Sequence, residues 1–359
     1  MSRVLVLGGT GAMGMHLLPR LVSKGHEVFA TSRNKRSDGD RVTFIKGDAK
    51  DNVFLSEVLT SVKPDAIVDF MNYGTIEFMN RRDKLLSSTR HYLFLSSCRV
   101  FAGEDLHSED SPFLLYAVKD EAYRKTDEYA LAKAREERLL RESKHTNWTI
   151  IRPCITYSAP RFQFGCLEAG TFVVRAFQGL PCVIPEEMLE KRTTMMWGGD
   201  TAEMISRLVL RDDAKGEDYN TVTAESHTWR EVAELYKEEI GLKYVTCSLD
   251  EYCRICNPYQ VRYGRMVHHV FDNTKVLNAT GMSQADLTTL KDGLKGELAK
   301  LQNSGCIQPN IRQNALMDRM LSVRTRLNCG WRGRLEYESV KSPMLGNVIR
   351  AVRRLKRHV

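Results

Sequence analysis

Through the first hundred residues, short aliphatic or β-branched runs alternate with segments whose apolar residues recur at helical spacing. The runs predict strands at Arg3–Leu7, Glu27–Thr31, Val42–Ile45, Ala66–Asp69 and Tyr92–Ser96. The helical spacing predicts helices over Gly11–Ser23 and Val53–Val62. Strand and helix in alternation is the mark of a parallel sheet wound with helices, a doubly wound α/β fold. A long charged helix is expected from Asp120 to Glu142, and Trp148–Ile151, before Arg152-Pro153, reads as a further buried strand. Beyond Pro153 the pattern loosens, with frequent Gly, Pro and aromatic residues up to Pro185. Strand and helix then return at Thr194–Trp197, from Gly199, at Tyr219–Val222 and over Thr228–Ile240. The expected organisation is a nucleotide-binding domain over 1–160, to which the strands near 194–225 return, a substrate subdomain over 161–305 and a basic extension over 306–359.

With 359 residues, 42% hydrophobic and 27% charged, the chain is an ordinary globular protein of about two domains. No apolar run approaches the roughly 18 residues of a spanning helix, and the N-terminal stretch is too short for a signal sequence. The expected location is the cytoplasm. Nine irregularly spaced cysteines fit reduced thiols there. Net charge is +8, yet Arg312 to Val359 alone holds 12 Lys/Arg against 3 Asp/Glu, so the body is nearly neutral and the basic character belongs to the tail.

Gly8-Gly9-Thr10-Gly11-Ala12-Met13-Gly14 follows the first strand and opens the first helix. Glycines there let the backbone turn tightly and approach a pyrophosphate, whose charge rests on the helix N-terminus. Gly8, Gly11, Ala12, Met13 and Gly14 are therefore candidate cofactor contacts. After the second strand the chain reads Thr31-Ser32-Arg33-Asn34-Lys35-Arg36, without the carboxylate that commonly holds an NAD ribose. Arg33 suits a 2′-phosphate, and Ser32 and Arg36 beside it are further candidate cofactor contacts, so NADP is preferred with NAD as the alternative, although loop arginines are also ordinary solvated residues. Asp48 suits the adenine end or, equally, a simple turn.

Tyr129 and Lys133, four residues apart, share one helix face. An ammonium nearby favours a phenolate, which makes a tyrosine serviceable as an acid–base. Ser97 lies at the carboxyl end of the fifth strand, the edge where open α/β sheets bind ligands. A second Tyr-x-x-x-Lys, Tyr337 with Lys341, lacks such a strand before it and is set aside. Cys253 and Cys256 form a C-x-x-C without a second ligand pair, so free thiols are favoured over zinc and no metal site is expected.

Over about residues 1 to 300, these features resemble the extended short-chain dehydrogenase/reductases, the NAD(P)-dependent epimerase/dehydratase group. The resemblance rests on the glycine turn, Ser96-Ser97 with Val100-Phe101, Tyr129 with Lys133, Arg152-Pro153, Asp200-Thr201-Ala202, and Asp272-Asn273-Thr274-Lys275 before Gly281. It implies a Rossmann-type sheet with a smaller C-terminal substrate subdomain and a nucleotide-sugar substrate. By position, Ser97 would bond the substrate oxygen, Tyr129 would move the proton, and Lys133 would hold the nicotinamide ribose. Three positions depart from the pattern. Cys98-Arg99 replaces the Asp-Glu of dehydratases, which disfavours dehydration; Phe70-Met71-Asn72-Tyr73 replaces His-Leu-Ala-Ala; and Phe101 stands for the usual tyrosine. The favoured activity is epimerisation through a keto intermediate. The alternatives are an NADPH-dependent keto-sugar reductase and a non-catalytic cofactor- or RNA-binding regulator.

From Met344 to Val359 apolar residues recur every three or four positions between arginines and lysines. As a helix this stripe suits the surface of an anionic membrane or, somewhat better, docking on the enzyme's own body or across a homodimer, the expected assembly. With few aromatic residues for stacking, nucleic acid is the weakest expectation for this tail.

Overall fold

A computed structural model describes residues 1–103, 106–304, 307–342 and 344, the side chains of 303 and 304 excepted. The amphipathic stripe expected over 344–359 lies outside the described residues, Met344 apart. The chain forms two compact units. The first holds Met1–Ser158, Thr194–Ser226 and His268–Leu290; the second holds Ala159–Thr193, His227–Val267 and Lys291–Val359. Residues 268–290, expected in the substrate subdomain, thus belong to the first unit, and the helices Ile311–Leu321 and Trp331–Lys341, expected in a separate extension, belong to the second.

The first unit is built on seven strands, β1 (Arg3–Leu7), β2 (Glu27–Ser32), β3 (Val42–Lys46), β4 (Ala66–Asp69), β5 (His91–Leu95), β6 (Trp148–Pro153) and β7 (Glu217–Thr221). They lie in the order β7-β6-β5-β4-β1-β2-β3, every pairing parallel. This is the Rossmann order, with β7 added outside β6. Strand order reverses between β1 and β4, and there the carboxyl edge opens.

Residue alternation along β1 explains the two layers. Val4 and Val6 face one core with Leu17 and Leu21 of α1 (Gly14–Ser23), whereas Leu5 and Leu7 face the other with Val58 of α2 (Asn52–Val62) and Phe78 of α3 (Thr75–Ser87). These four β1 side chains are fully buried, two on each face, so both faces of the strand remove apolar surface from water. The layer of α2 and α3 also contains α4 (Tyr129–Arg141), through Leu140. Met204, Ile205 and Leu208 of α5 (Gly198–Leu208) join α1 on the opposite face.

Three local differences from the sequence reading have identifiable causes. Helix α1 begins at Gly14 rather than Gly11, because the preceding residues form the turn. The helix expected over 120–142 is broken: a short turn at Glu121–Arg124, capped by Asp120, ends before Glu128 starts α4 anew in extended conformation. Helix α3 occupies a stretch for which no helix was predicted. Its buried face carries Arg81, which donates to the carbonyls of Ala49 and Lys50 and lies 4.5 Å from the Tyr73 ring, so the apolar period was interrupted at the place that packs.

Within the second unit, Cys182–Pro185 pairs in parallel with Tyr244–Cys247. Helix Trp229–Ile240 is closed by a Thr228/Glu231 capping box and by Gly241 in the left-handed region. Asp318, fully buried, accepts from Arg175 at 2.6 Å and from the Tyr337 hydroxyl at 2.5 Å, while Lys341 donates to the Val323 carbonyl. The second Tyr-x-x-x-Lys is therefore engaged in structure. Cys253 and Cys256 are free thiols. Among the described residues no helix is long and apolar enough to cross a membrane.

Candidate active site

The glycine turn is made by backbone. Gly8 has φ +73°, a left-handed conformation, and a Cβ there would meet the Met71 sulfur at 3.1 Å. The segment after β4, where Phe70-Met71 departs from the usual sequence, thus lies directly against the turn. A Cβ on Gly14 would come within 2.5 Å of the Gly9 carbonyl oxygen, so only glycine fits. At Gly11 a Cβ would meet nothing but the Gly8 oxygen, at 3.8 Å, which leaves open space above the turn. The Gly8 amide donates to Thr31 Oγ1 at 3.0 Å, fastening the turn to the end of β2. Helix α1 has no side-chain cap and no acidic residue in its first turn. The Met15 and His16 amides already donate to the Gly11 and Met13 carbonyls, so what this end offers is a helix dipole with no side-chain charge against it, which fits a pyrophosphate.

The remaining cofactor candidates lie at the end of β2 and after β3. Ser32 is buried, and Arg33 and Arg36 are exposed. Asp48 is exposed, and one of its oxygens already accepts from the Lys50 amide at 3.0 Å, the turn-forming role.

The other half of the edge is made by side chains. Ser97 is buried, extended, and accepts from the Arg99 amide at 3.2 Å to start the short turn Cys98–Val100. That turn packs on α4, which brings it beside the helix carrying Tyr129 and Lys133. Tyr129 is the first residue of α4 and half-buried. Lys133 is 2% exposed; its ammonium donates to Glu136 at 3.0 Å and stands 4.5 Å from the centre of the Phe94 ring.

Sequence reasoning missed the acids around that lysine. Glu136 is fully buried, and burial, only partly offset by Lys133, pushes its carboxyl up to about 7. Asp69, at the end of β4, accepts from the Tyr92 hydroxyl at 2.8 Å and the Tyr73 hydroxyl at 3.0 Å, and burial raises its carboxyl as well. Behind these lies an ion network. Glu137 accepts from Ser96 at 2.5 Å and from Arg152 at 2.8 and 2.6 Å, and Arg152 reaches Asp218 at 2.6 Å. Burial works to raise Asp218, yet Arg152, Arg141 and Lys275 together hold it below the usual carboxylate range. The legible signal for this network was Arg152-Pro153; its partners come from other elements and have no spacing to betray them.

Residues 4–221 match the NAD dependent epimerase/dehydratase family. The chain belongs to that family. Among its relatives, the chloroplast stem-loop binding protein of 41 kDa b of Arabidopsis thaliana is 30% identical over 173 residues, 44% of this chain and 42% of that protein. A UDP-glucose 4-epimerase of Lactobacillus helveticus is 33% identical over 79 residues, 21% of this chain and 24% of the enzyme. The chain therefore matches less than half the length of either relative. Among solved structures, the UDP-glucose 4-epimerase of Thermus thermophilus in complex with NAD superposes with a TM-score of 0.66 over 84% of this chain and 99% of that one. At 20% identity this likeness speaks to the fold. Within the family, the departures at Cys98-Arg99 and Phe70-Met71 now have places: Cys98 turns inward to the Arg152 carbonyl, Arg99 reaches toward α4, and Met71 backs the glycine turn.

Proposed function

We propose that the chain is a nucleotide-sugar epimerase that works with a bound nicotinamide dinucleotide, with NADP as the preferred form. The observation that carries this reading is Tyr129 at the start of α4, one turn before the buried Lys133, on a helix against which the Ser97 turn packs. When bound, the nicotinamide would accept a hydride from the sugar carbon and return it. Gly8 and Gly11–Gly14 would cradle the pyrophosphate, and Lys133 would hold the ribose. Ser97 would donate to the reacting oxygen and Tyr129 would take its proton, leaving a ketone. The ketone turns its other face inward and Tyr129 gives the proton back, so the stereocentre inverts with no net oxidation. Catalytic roles for Ser97, Tyr129 and Lys133 are part of the proposal.

The test is a panel of nucleotide sugars assayed for inverted product with NAD and NADP in parallel. Tyr129→Phe is expected to keep cofactor affinity while losing about a hundredfold or more in rate. Stoichiometric consumption of NADPH would convert the reading to a reductase, and wild-type turnover in Tyr129→Phe would remove the tyrosine from the chemistry.

A second reading is favoured by one observation, the relative named for stem-loop binding that aligns over 173 residues. In that reading the fold presents a nucleic-acid surface and catalysis is absent. Tight binding of an RNA hairpin, indifferent to Tyr129→Phe and without turnover of any nucleotide sugar, would establish it.

A further inference from the structure

Cys98 and Arg99 follow Ser97 immediately, and the fold sends them in opposite directions. Cys98 points into the core, its Sγ 3.2 Å from the Arg152 carbonyl oxygen. Burial raises this thiol well above its ordinary value, so it stays protonated and inert. Arg99 points across to the start of α4. Its Nη2 donates to Glu128 Oε1 at 2.7 Å, and its guanidinium carbon lies 5.5 Å from the centre of the Tyr129 ring.

Glu128 is the N-cap of α4. Its other oxygen accepts from the Ala130 amide at 2.9 Å and from the Tyr123 hydroxyl at 2.9 Å. One carboxylate thus joins three pieces of chain: the turn carrying Ser97, the segment before the helix break, and the first turn of α4. Tyr129 is the first helical residue after that cap. Helix ends fray, because their terminal groups lack intrahelical partners, so a residue at this position is only as fixed as the cap before it. The Arg99 and Glu128 side chains are 14% and 8% exposed, which removes the pair from the class of solvated surface bridges. Arg99 Nε is buried with no partner, a cost that helix capping alone would not require.

We propose that Arg99 is a positioning residue for Tyr129, holding the capped start of α4 and the phenol ring in register with Ser97. The inference rests on the catalytic reading above and extends it to a residue that touches no reacting atom. It gives the departure from Asp-Glu a purpose: the position that carries an acid in dehydratases here carries a strut between the two halves of the acid–base pair.

The experiment compares Arg99→Met, Arg99→Lys, Glu128→Gln and the Arg99→Met/Glu128→Gln double variant, using the nucleotide sugar that the panel identifies. Arg99→Met is expected to lower kcat by about a hundredfold, the scale of a displacement near 1 Å, with KM and dinucleotide affinity unchanged. Arg99→Lys should recover much of the loss, since an ammonium can still pair with Glu128. The double variant should be no slower than Arg99→Met, because both changes cut one connection. Should Arg99→Met fail to fold, Glu128→Gln reads the same quantity, as it keeps the cap acceptor and removes the charge that holds Arg99. Wild-type kcat in Arg99→Met, or additive losses in the double variant, overturn the positioning role while leaving the epimerase reading intact. A wild-type protein that turns over no nucleotide sugar overturns the reading itself, and the inference with it.

Discussion

The two halves of the carboxyl edge are built from different materials. At the β1–α1 end the site is backbone: Gly14 placed where a Cβ would strike the Gly9 carbonyl oxygen, Gly8 in the left-handed region, and a helix end without a side-chain cap. At the β5–α4 end it is buried charge, with Lys133, Glu136, Glu137 and Arg152 all at most 2% exposed. A backbone cradle needs little from the rest of the protein once its turn is made. Buried charges need partners, and those partners tie β5, β6, β7 and α4 into one network. The first half offers a preformed anion site; the second offers precise placement at a high cost if a carboxylate partner of Arg152 is lost.

The sharpest way to break this comparison is to remove one charge. Glu137→Ala leaves the fully buried Arg152 guanidinium, among the described residues, with Asp218 as its one charged partner and unpairs the Ser96 hydroxyl. Loss of one partner of a buried pair is expected to destabilise by about 3–5 kcal/mol. Denaturant unfolding followed by far-UV circular dichroism measures it. A loss within the range of surface substitutions would mean that the network contributes nothing, and the contrast between the halves would fall.

The same contrast governs what could be read from the sequence. Backbone chemistry is written locally: the Val4-Leu5-Val6-Leu7 alternation and the glycines that follow specify strand, turn and helix within a few residues. Charge pairing is written nowhere local. Glu136 and Glu137 look like the solvated face of a charged helix, and only the strand bearing Arg152 and the neighbourhood of Lys133 turn them into interior residues. The break before Tyr129 was hidden for the same reason, since it depends on Glu128 finding Arg99 and Tyr123 in space. Helix α3 was hidden by Arg81, a polar residue on a buried face. Ser97, Tyr129 and Lys133 could be picked out as candidates; the acids and the arginine around them could not.

A change at Glu136 probes the charged half by pH. Its carboxyl stands at about 7 in the folded chain against an ordinary value of 4.5. The folded state therefore binds more protons than the unfolded state between those values. The stabilisation is complete below about pH 4.5 and is lost as pH rises through about 7. Glutamine mimics the protonated acid at every pH. Glu136→Gln should match the wild type near pH 4.5 and become more stable than it by about 3 kcal/mol at pH 8, from a shift of that order. Melting temperatures of both proteins across pH 4.5 to 8 measure the difference; a gap that does not widen with pH would show that Glu136 ionises freely in the fold.

The backbone half is probed by one methyl group. A Cβ on Gly14 lies 2.5 Å from the Gly9 oxygen, and Cα and carbonyl carbon of the same residue are nearly as close, so no side chain can yield. Gly14→Ala must open the turn, at an overpacking cost of about 1–3 kcal/mol. Calorimetric titration should find dinucleotide affinity lowered about tenfold to a hundredfold, while the charged half stays intact. Unchanged affinity would indicate that the turn does not hold the pyrophosphate.

The smallest effect belongs to Arg33, where backbone cradle and charge meet. No carboxylate stands at the end of β2, and Arg33 is exposed on the loop that follows. An arginine–phosphate pair is charge-assisted and can be bidentate, which favours a 2′-phosphate over a hydroxyl. Exposure limits the gain, because water and salt screen the pair. Arg33→Ala is therefore expected to reduce the ratio of NADP(H) to NAD(H) affinity by about tenfold, or about 1.4 kcal/mol. The wild-type ratio should itself shrink as ionic strength rises from 0.01 to 0.5 M, whereas the affinity lost in Gly14→Ala, being steric, should not respond to salt. Titration of both dinucleotides at both salt levels separates the two. Preference for NAD(H) in the wild type, unaltered by Arg33→Ala, would return Arg33 to the solvated surface and leave cofactor choice to the buried residues at the end of β2, Thr31 and Ser32.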